Sequence, residues 1–148
     1  MRILALDIGD VWIGSAISDP LGVTCKPHKT VKTQDVVNFI CEEIDNNNVD
    51  TVVTGVPYTM SGKEGNQAKK VEEFVKNLRK AIGEKNKTKI KWATWDERKT
   101  SQYAEKIARQ SVRSMEKLKK TKIHQHSIAA AFILQGYLDH MSFKKGLY

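Results

Sequence analysis

Residues 1–18 read MRILALDIGDVWIGSAIS, and this stretch decides the fold. MRILALD and VWIGSAIS are apolar runs rich in Ile, Leu and Val, separated by Gly9 and Asp10. That is the pattern of two largely buried strands joined by a tight turn. Asp7 ends the first run, and an ionised carboxylate there is costly unless it binds a cation or gathers several donors. The competing explanation is a turn cap, with Asp7 accepting backbone hydrogen bonds from Gly9 and Asp10. Asp10 itself reads as a turn residue.

Downstream of the hairpin, Thr24 to Val31 reads as a third extended stretch that could complete an antiparallel meander, and Pro27 argues for an edge position or an irregular end. From Asp35, an acidic N-cap candidate, Val36, Val37, Phe39, Ile40 and Ile44 follow helical spacing up to the polar run Asn46–Asn48. VDTVVTGVP is a buried strand stopped by Gly55 and Pro57, and the helix crossing before it makes it parallel to the first. Ala68, Val71, Phe74, Val75, Leu78 and Ile82 predict a long amphipathic helix, with Glu72 and Lys76 spaced to pair on its outer face. A strand over Ile90–Thr94, a helix over Thr100–Arg109 and a final helix over Gln125–His140 complete the order. The expectation is an α/β fold, a mixed sheet with an antiparallel meander and parallel strands, covered by helices.

A chain of 148 residues without an internal repeat or linker fits one domain over residues 1–148. With 40% hydrophobic and 28% charged residues it reads as neither disordered nor membrane-embedded. The start MRILALDIGD reads as a strand rather than a leader, so a cytoplasmic location is expected, with Cys25 and Cys41 as reduced thiols. Twenty-five Lys and Arg against 17 Asp and Glu leave a net charge of +8, which favours a polyanionic partner. The charge concentrates in RQSVRSMEKLKKTK, residues 109–122, where Arg109, Arg113, Lys117, Lys119, Lys120 and Lys122 face only Glu116.

A second chemical cluster is Trp95-Asp96-Glu97-Arg98, at the C-terminal end of the strand IKWAT, where loops of α/β sheets build sites. Asp96 and Glu97 cannot both point inward. One of them can join Asp7 on a hard cation such as Mg2+ or Mn2+, while Arg98 neutralises a phosphate or orders the loop. The competing explanation is a capping cluster ahead of the next helix.

The segments ILALDIGDVWIGSAISDPLG, TVVTGVPYTMSGKEGNQA, WDERKTSQYAEK and IAAAFILQGYLD, in this order, resemble those of the YqgF/RuvX family over nearly the whole chain. The GxP loop with MxG, the DER and the terminal AAxxILQxYLD carry the resemblance together; the hairpin alone is weakly specific. The resemblance implies an RNase H-like fold and a nuclease that processes pre-16S ribosomal RNA or resolves Holliday junctions. It also implies acidic catalytic residues at Asp7 and Glu97, with a divalent metal as cofactor.

Two departures from the family pattern stand out. Its third acidic position, two turns before the ILQ segment, falls on His126. Magnesium prefers oxygen ligands, whereas imidazole suits manganese, iron or zinc, so His126 is read as a metal ligand or general base, with His124 a weaker candidate and a mere helix cap at His126 as the alternative. The related RuvC-like resolvases are similar in sometimes using His there. The family's basic pair after the hairpin turn is replaced by Val11-Trp12; Trp12 either stacks on a base or packs under a helix, and Trp92 and Trp95 share that ambiguity. The basic stretch is similar to the family's Lys/Arg-rich loop, so Arg113, Lys117, Lys119, Lys120 and Lys122 join Arg98 as expected nucleic-acid contacts, against the alternative of a solvated charge run. A rival of another class is a nucleic-acid-binding module that lost cleavage with the third carboxylate. An actin-like or sugar-kinase-like nucleotide binder, whose phosphate hairpin LDIGDVWIG also resembles, requires roughly twice this length. A junction resolvase would be a homodimer, whereas RNA trimming can be done by a monomer.

Overall fold

The computed structural model describes residues 1–58, 65–99 and 122–144, the side chains of 122–124 excepted. The helix expected over Thr100–Arg109, and Arg113, Lys117, Lys119 and Lys120, lie outside the described residues. Strands β1 (Arg2–Asp7), β2 (Trp12–Ser18) and β3 (Cys25–Lys32) form the antiparallel meander. Helix α1 (Val36–Asn47) then crosses to β4 (Val49–Val56), which pairs in parallel with β1. Helix α2 (Asn66–Lys85) leads to β5 (Lys91–Asp96), parallel to β4, and α3 (Lys122–Lys144) closes the described chain. The sheet order is β3-β2-β1-β4-β5, so the strand containing Pro27 is an edge, where its missing N–H breaks no ladder.

Alternation along the strands sends large side chains to one face and small ones to the other. Leu4, Leu6, Ile13 and Ile17 pack with Phe39, Ile40 and Ile44 of α1 and Leu78 and Ile82 of α2. On the opposite face Ala5, Ala16 and Val53 lie under Ala130, Ala131 and Leu134 of α3. Because β1 and β2 offer small residues at Ala5, Gly14 and Ala16, α3 seats close to the sheet there. A Cβ on Gly14 would stand 2.0 Å from the carbonyl carbon of His126, and one on Gly55 2.5 Å from Cδ1 of Ile133. Among the described residues, no helix is long and apolar enough to cross a membrane.

Local details depart from the sequence expectations in instructive ways. Asp35 precedes α1 but makes no side-chain cap bond, because it belongs to a single 3-10 turn, Thr33–Asp35. Thr33 of that turn donates its hydroxyl to the Gly9 carbonyl at 2.9 Å, tying it to the β1–β2 connection. Asn48 ends α1 in the left-handed region at φ 56°, a conformation Asn tolerates. Glu72, spaced for Lys76, accepts a 2.8 Å hydrogen bond from the Tyr58 hydroxyl. Cys25 and Cys41 are free thiols, and burial pushes the Cys25 thiol up to about 12.

The β2–β3 loop is organised by Asp19, whose carboxylate accepts the N–H groups of Val23 at 2.7 Å, Thr24 at 2.9 Å and Leu21 at 3.2 Å. Slight burial pushes the Asp19 carboxyl up, but the Thr24, Val23 and Leu21 amides outweigh it and hold it below the ordinary carboxylate range. A lowered folded-state value stabilises the fold fully above the unfolded value, near 3.9, and the benefit is lost as pH falls through the folded value. Asp19→Ala is therefore expected to cost about 0.5–1 kcal/mol near neutrality, shrinking in acid, as urea titrations at the two pH values would read.

Candidate active site

Asp7 follows Ala5 on the α3 face and lies opposite Gly14 of β2. Gly14 is also where the backbone of His126 and Ser127 rests on the sheet, so the helix start comes directly beside Asp7. The Ser127 hydroxyl, buried, shares a 2.5 Å hydrogen bond with the Thr30 hydroxyl of β3 and pins the helix there. Nδ1 of His126 consequently stands 3.8 Å from Oδ2 of Asp7.

Glu97 arrives from the other side. Leu6 pairs with Thr54 and Gly55 with Trp95, so Gly55 sits between the end of β1 and the end of β5. The chain leaves β5 in a 3-10 turn, Glu97–Lys99, that lays the Glu97 carboxylate over Gly55: its Oε1 is 2.9 Å from where a Cβ on Gly55 would be. Asp96 turns away. It accepts the Arg98 backbone N–H at 3.0 Å and pairs with the guanidinium, Nη2 to Oδ2 at 2.5 Å. The question the sequence left open thus has a structural answer: Asp96 caps the turn and Glu97 points toward Asp7.

The electrostatics separate these carboxylates. The Arg98 side chain, then its backbone N–H, hold Asp96 below the usual carboxylate range. Burial raises Glu97, and the neighbouring charges of Asp7 and then Asp96 raise it further. Burial also raises Asp7, opposed only in part by His126. No backbone N–H among the described residues donates to Asp7, so the turn-cap explanation for it is not what the structure shows. Asp7 and Glu97 are two partly buried carboxylates near enough for the charge of Asp7 to act on Glu97, with the His126 imidazole beside Asp7.

The donor set fits a hard divalent cation in a specific way. Among the described residues, no group of three or more His, Cys, Asp and Glu side chains is arranged to hold a metal. Magnesium-type sites, however, are commonly built from one or two carboxylates, with water and substrate phosphate supplying the rest. Asp7 and Glu97, both held up by burial, are such a pair. His126 lies against Asp7 as its ion-pair neighbour.

The remaining candidates divide. Arg98 spends its guanidinium on Asp96 and lies 5.6 Å from the Tyr58 ring centroid, which is the loop-ordering use. Lys122 opens α3, but its side chain, like that of His124, lies outside the described residues. Trp95 is buried against Gly136 and the His140 ring, a packing role; Trp92 is half-buried beside Arg79, and Trp12 half-buried at the start of β2. Sequence reasoning missed Gly14, Gly55, Thr30 and Ser127 as positioning residues. The signal available was the row of Gly and Ala on one strand face.

The RuvX family, described as Holliday junction resolvase, matches residues 1–140. The chain belongs to the RuvX family. Among RuvX relatives, a protein of Sulfurihydrogenibium sp. (strain YO3AOP1) is 43% identical, with 96% of this chain and 92% of the relative covered. One of Clostridium tetani (strain Massachusetts / E88) is 46% identical, with 94% and 96% covered; both bear the name "Putative pre-16S rRNA nuclease". Among solved structures, Thermus thermophilus RuvC in complex with Holliday junction substrate superposes with a TM-score of 0.66 at 16% identity, covering 99% of this chain and 96% of that one. The yeast mitochondrial Holliday junction resolvase Ydc2 gives 0.53 at 11% identity, covering 99% and 84%. At these identities the likeness speaks for the fold alone, and it is the RNase H-like fold. Family membership and the relatives' names agree with the nuclease class read from the sequence.

Proposed function

We propose that this RuvX chain is a divalent-metal-dependent endonuclease that cleaves precursor 16S ribosomal RNA in the cytoplasm, acting as one domain over residues 1–148. The observation that carries the reading is the placement of Asp7 and Glu97 about Gly55, two partly buried carboxylates raised by burial, with His126 beside Asp7. Asp7 and Glu97 would hold the cation. When bound, a divalent ion supplies activation of water and neutralisation of charge on the scissile phosphate. In this reading His126, 3.8 Å from Asp7, orients that carboxylate and, in its neutral form, accepts the proton of an attacking water. By the family pattern, hydrolysis leaves a 3′-hydroxyl. Arg113, Lys117, Lys119, Lys120 and Lys122 bind phosphates without reading sequence, so affinity falls steeply with salt, while Arg98, paired with Asp96, orders its own loop.

A monomer suffices for RNA trimming, whereas a four-way junction demands a symmetric pair. Single-turnover cleavage of a labelled precursor 16S RNA fragment and of a four-way DNA junction, both with manganese, separates the two substrates. The RNA is expected to be cut at least about tenfold faster, a difference of 1.4 kcal/mol in barrier. Faster cutting of the junction, with a dimer in solution, would move the assignment to the resolvase reading instead. His126→Asp is expected to raise the magnesium-supported rate relative to the manganese-supported one by about tenfold, because it exchanges imidazole for a hard oxygen ligand. An unchanged ratio would remove His126 from the metal's surroundings.

A further inference from the structure

A second basic feature lies at the opposite end of β5 from Glu97, where the last turns of α2 meet the residues leading into the strand. The six residues of β5 separate the two places by roughly 20 Å at about 3.3 Å per residue. An open groove of about 640 Å³ there is lined by the exposed side chains of Arg79, Lys80, Lys87 and Lys89, and no acidic residue lines it. Among the described residues none of these four cations is in an ion pair. On the same wall the guanidinium of Arg79 lies 5.8 Å from the ring centroid of Trp92, which is half-buried and anchored against the hydrophobic core.

Four uncompensated cations gathered around one concave surface repel each other, and an anionic occupant relieves that repulsion. Lysines alone would serve any polyanion. The Arg79 guanidinium over the Trp92 ring adds planar π groups to the groove wall, and cations along a groove combined with stacking platforms are the means by which proteins hold single-stranded nucleic acid. A continuous duplex has its bases paired and stacked and would use only the charges.

We propose that this groove binds a single-stranded RNA flank of the substrate, holding it along the β5 side of the sheet while the structured part engages Asp7 and Glu97. The proposal rests on the reading that the substrate is RNA, but its test does not require cleavage. The probe is an RNA stem-loop with or without a single-stranded extension about ten nucleotides long, titrated with the wild-type chain in chelator at several salt concentrations. The extension is expected to tighten binding about tenfold, the scale of one base stacking contact. The double variant Lys87→Ala/Lys89→Ala, changed only at exposed positions, is expected to lose most of that gain. Its salt slope on the extended RNA should fall by about 1.4, or 0.7 for each phosphate released. Arg79→Lys keeps the charge and loses the planar stack, so it should retain the salt slope while losing part of the gain. No gain from the extension in the wild type, or a gain that survives the double variant, overturns the proposal. An equal loss on the blunt stem-loop overturns it too, because the groove would then be serving duplex. Cleavage of the blunt stem-loop by the wild type, measured separately with manganese, tells the two readings apart. A gain without cleavage would sink the nuclease and leave the groove, and cleavage without a gain would do the reverse.

Discussion

Asp7→Asn is expected to lower metal-supported cleavage about a thousandfold, since it removes one of two carboxylates proposed to hold the cation, an interaction worth several kcal/mol in the transition state. The same substitution is expected to make the metal-free protein more stable. Burial holds the Asp7 carboxyl above its ordinary value, with His126 only partly opposing. A carboxylate whose folded value is raised favours folding while protonated, and that advantage disappears as pH rises through the folded value. Ionised Asp7 is therefore a cost to the fold, compounded by its repulsion of Glu97. Asn removes the charge at nearly the same shape. Thermal melts in chelator should place the variant above the wild type, and added manganese should raise the wild type alone. A variant that melts lower in chelator, or that still cleaves, would contradict both halves of the argument.

Gly14→Val should be the most damaging single change in the sheet. Its Cβ would stand 2.0 Å from the His126 carbonyl carbon and 2.5 Å from the Ser127 nitrogen, and both are backbone atoms that cannot rotate away. Helix α3 must lift off β2, opening the Ala5–Ala16–Ala130 layer and separating His126 from Asp7. A loss of about 3 kcal/mol is expected, at the upper end for overpacking, together with loss of cleavage by whatever protein remains folded. Gly83→Ala is the matched control. Nothing lies within 4 Å of its added Cβ, and a helical Gly-to-Ala change there should gain roughly 0.5–1 kcal/mol. Denaturant midpoints of the two variants, read against the wild type, check both signs. A Gly14→Val protein of normal stability would mean that α3 does not sit where the small face puts it.

What could be read in the sequence follows from how locally each feature is encoded. The hairpin, β4 and α2 were legible because their apolar spacing is regular over many residues, and Pro27 marked β3 as an edge by chemistry that needs no partner. Asp7 was legible because a charge ending an apolar strand is anomalous whatever surrounds it. The choice between Asp96 and Glu97 was not, since it depends on a 3-10 turn beginning at Glu97 and on Arg98 folding back onto Asp96. Helical spacing suggested Lys76 as partner for Glu72, yet a tyrosine 14 residues earlier takes the carboxylate, because the β4–α2 connection brings Tyr58 over α2. Gly14 carries no signal of its own in the sequence and Gly55 reads only as a strand stop, yet they are the seats of α3 and of the Glu97 side chain. Such roles appear only when two distant segments are superposed.

The function proposed for this chain requires the Asp7–Glu97 edge to be a working phosphodiesterase centre. The most direct measurement incubates the purified wild-type chain with a precursor 16S RNA fragment in manganese, in magnesium and in chelator, and maps the product ends. Discrete cuts carrying 3′-hydroxyl ends with either metal and none in chelator are the predicted result. Tight, salt-sensitive binding with intact RNA in all three conditions would contradict it and make the chain a binding module on a nuclease fold.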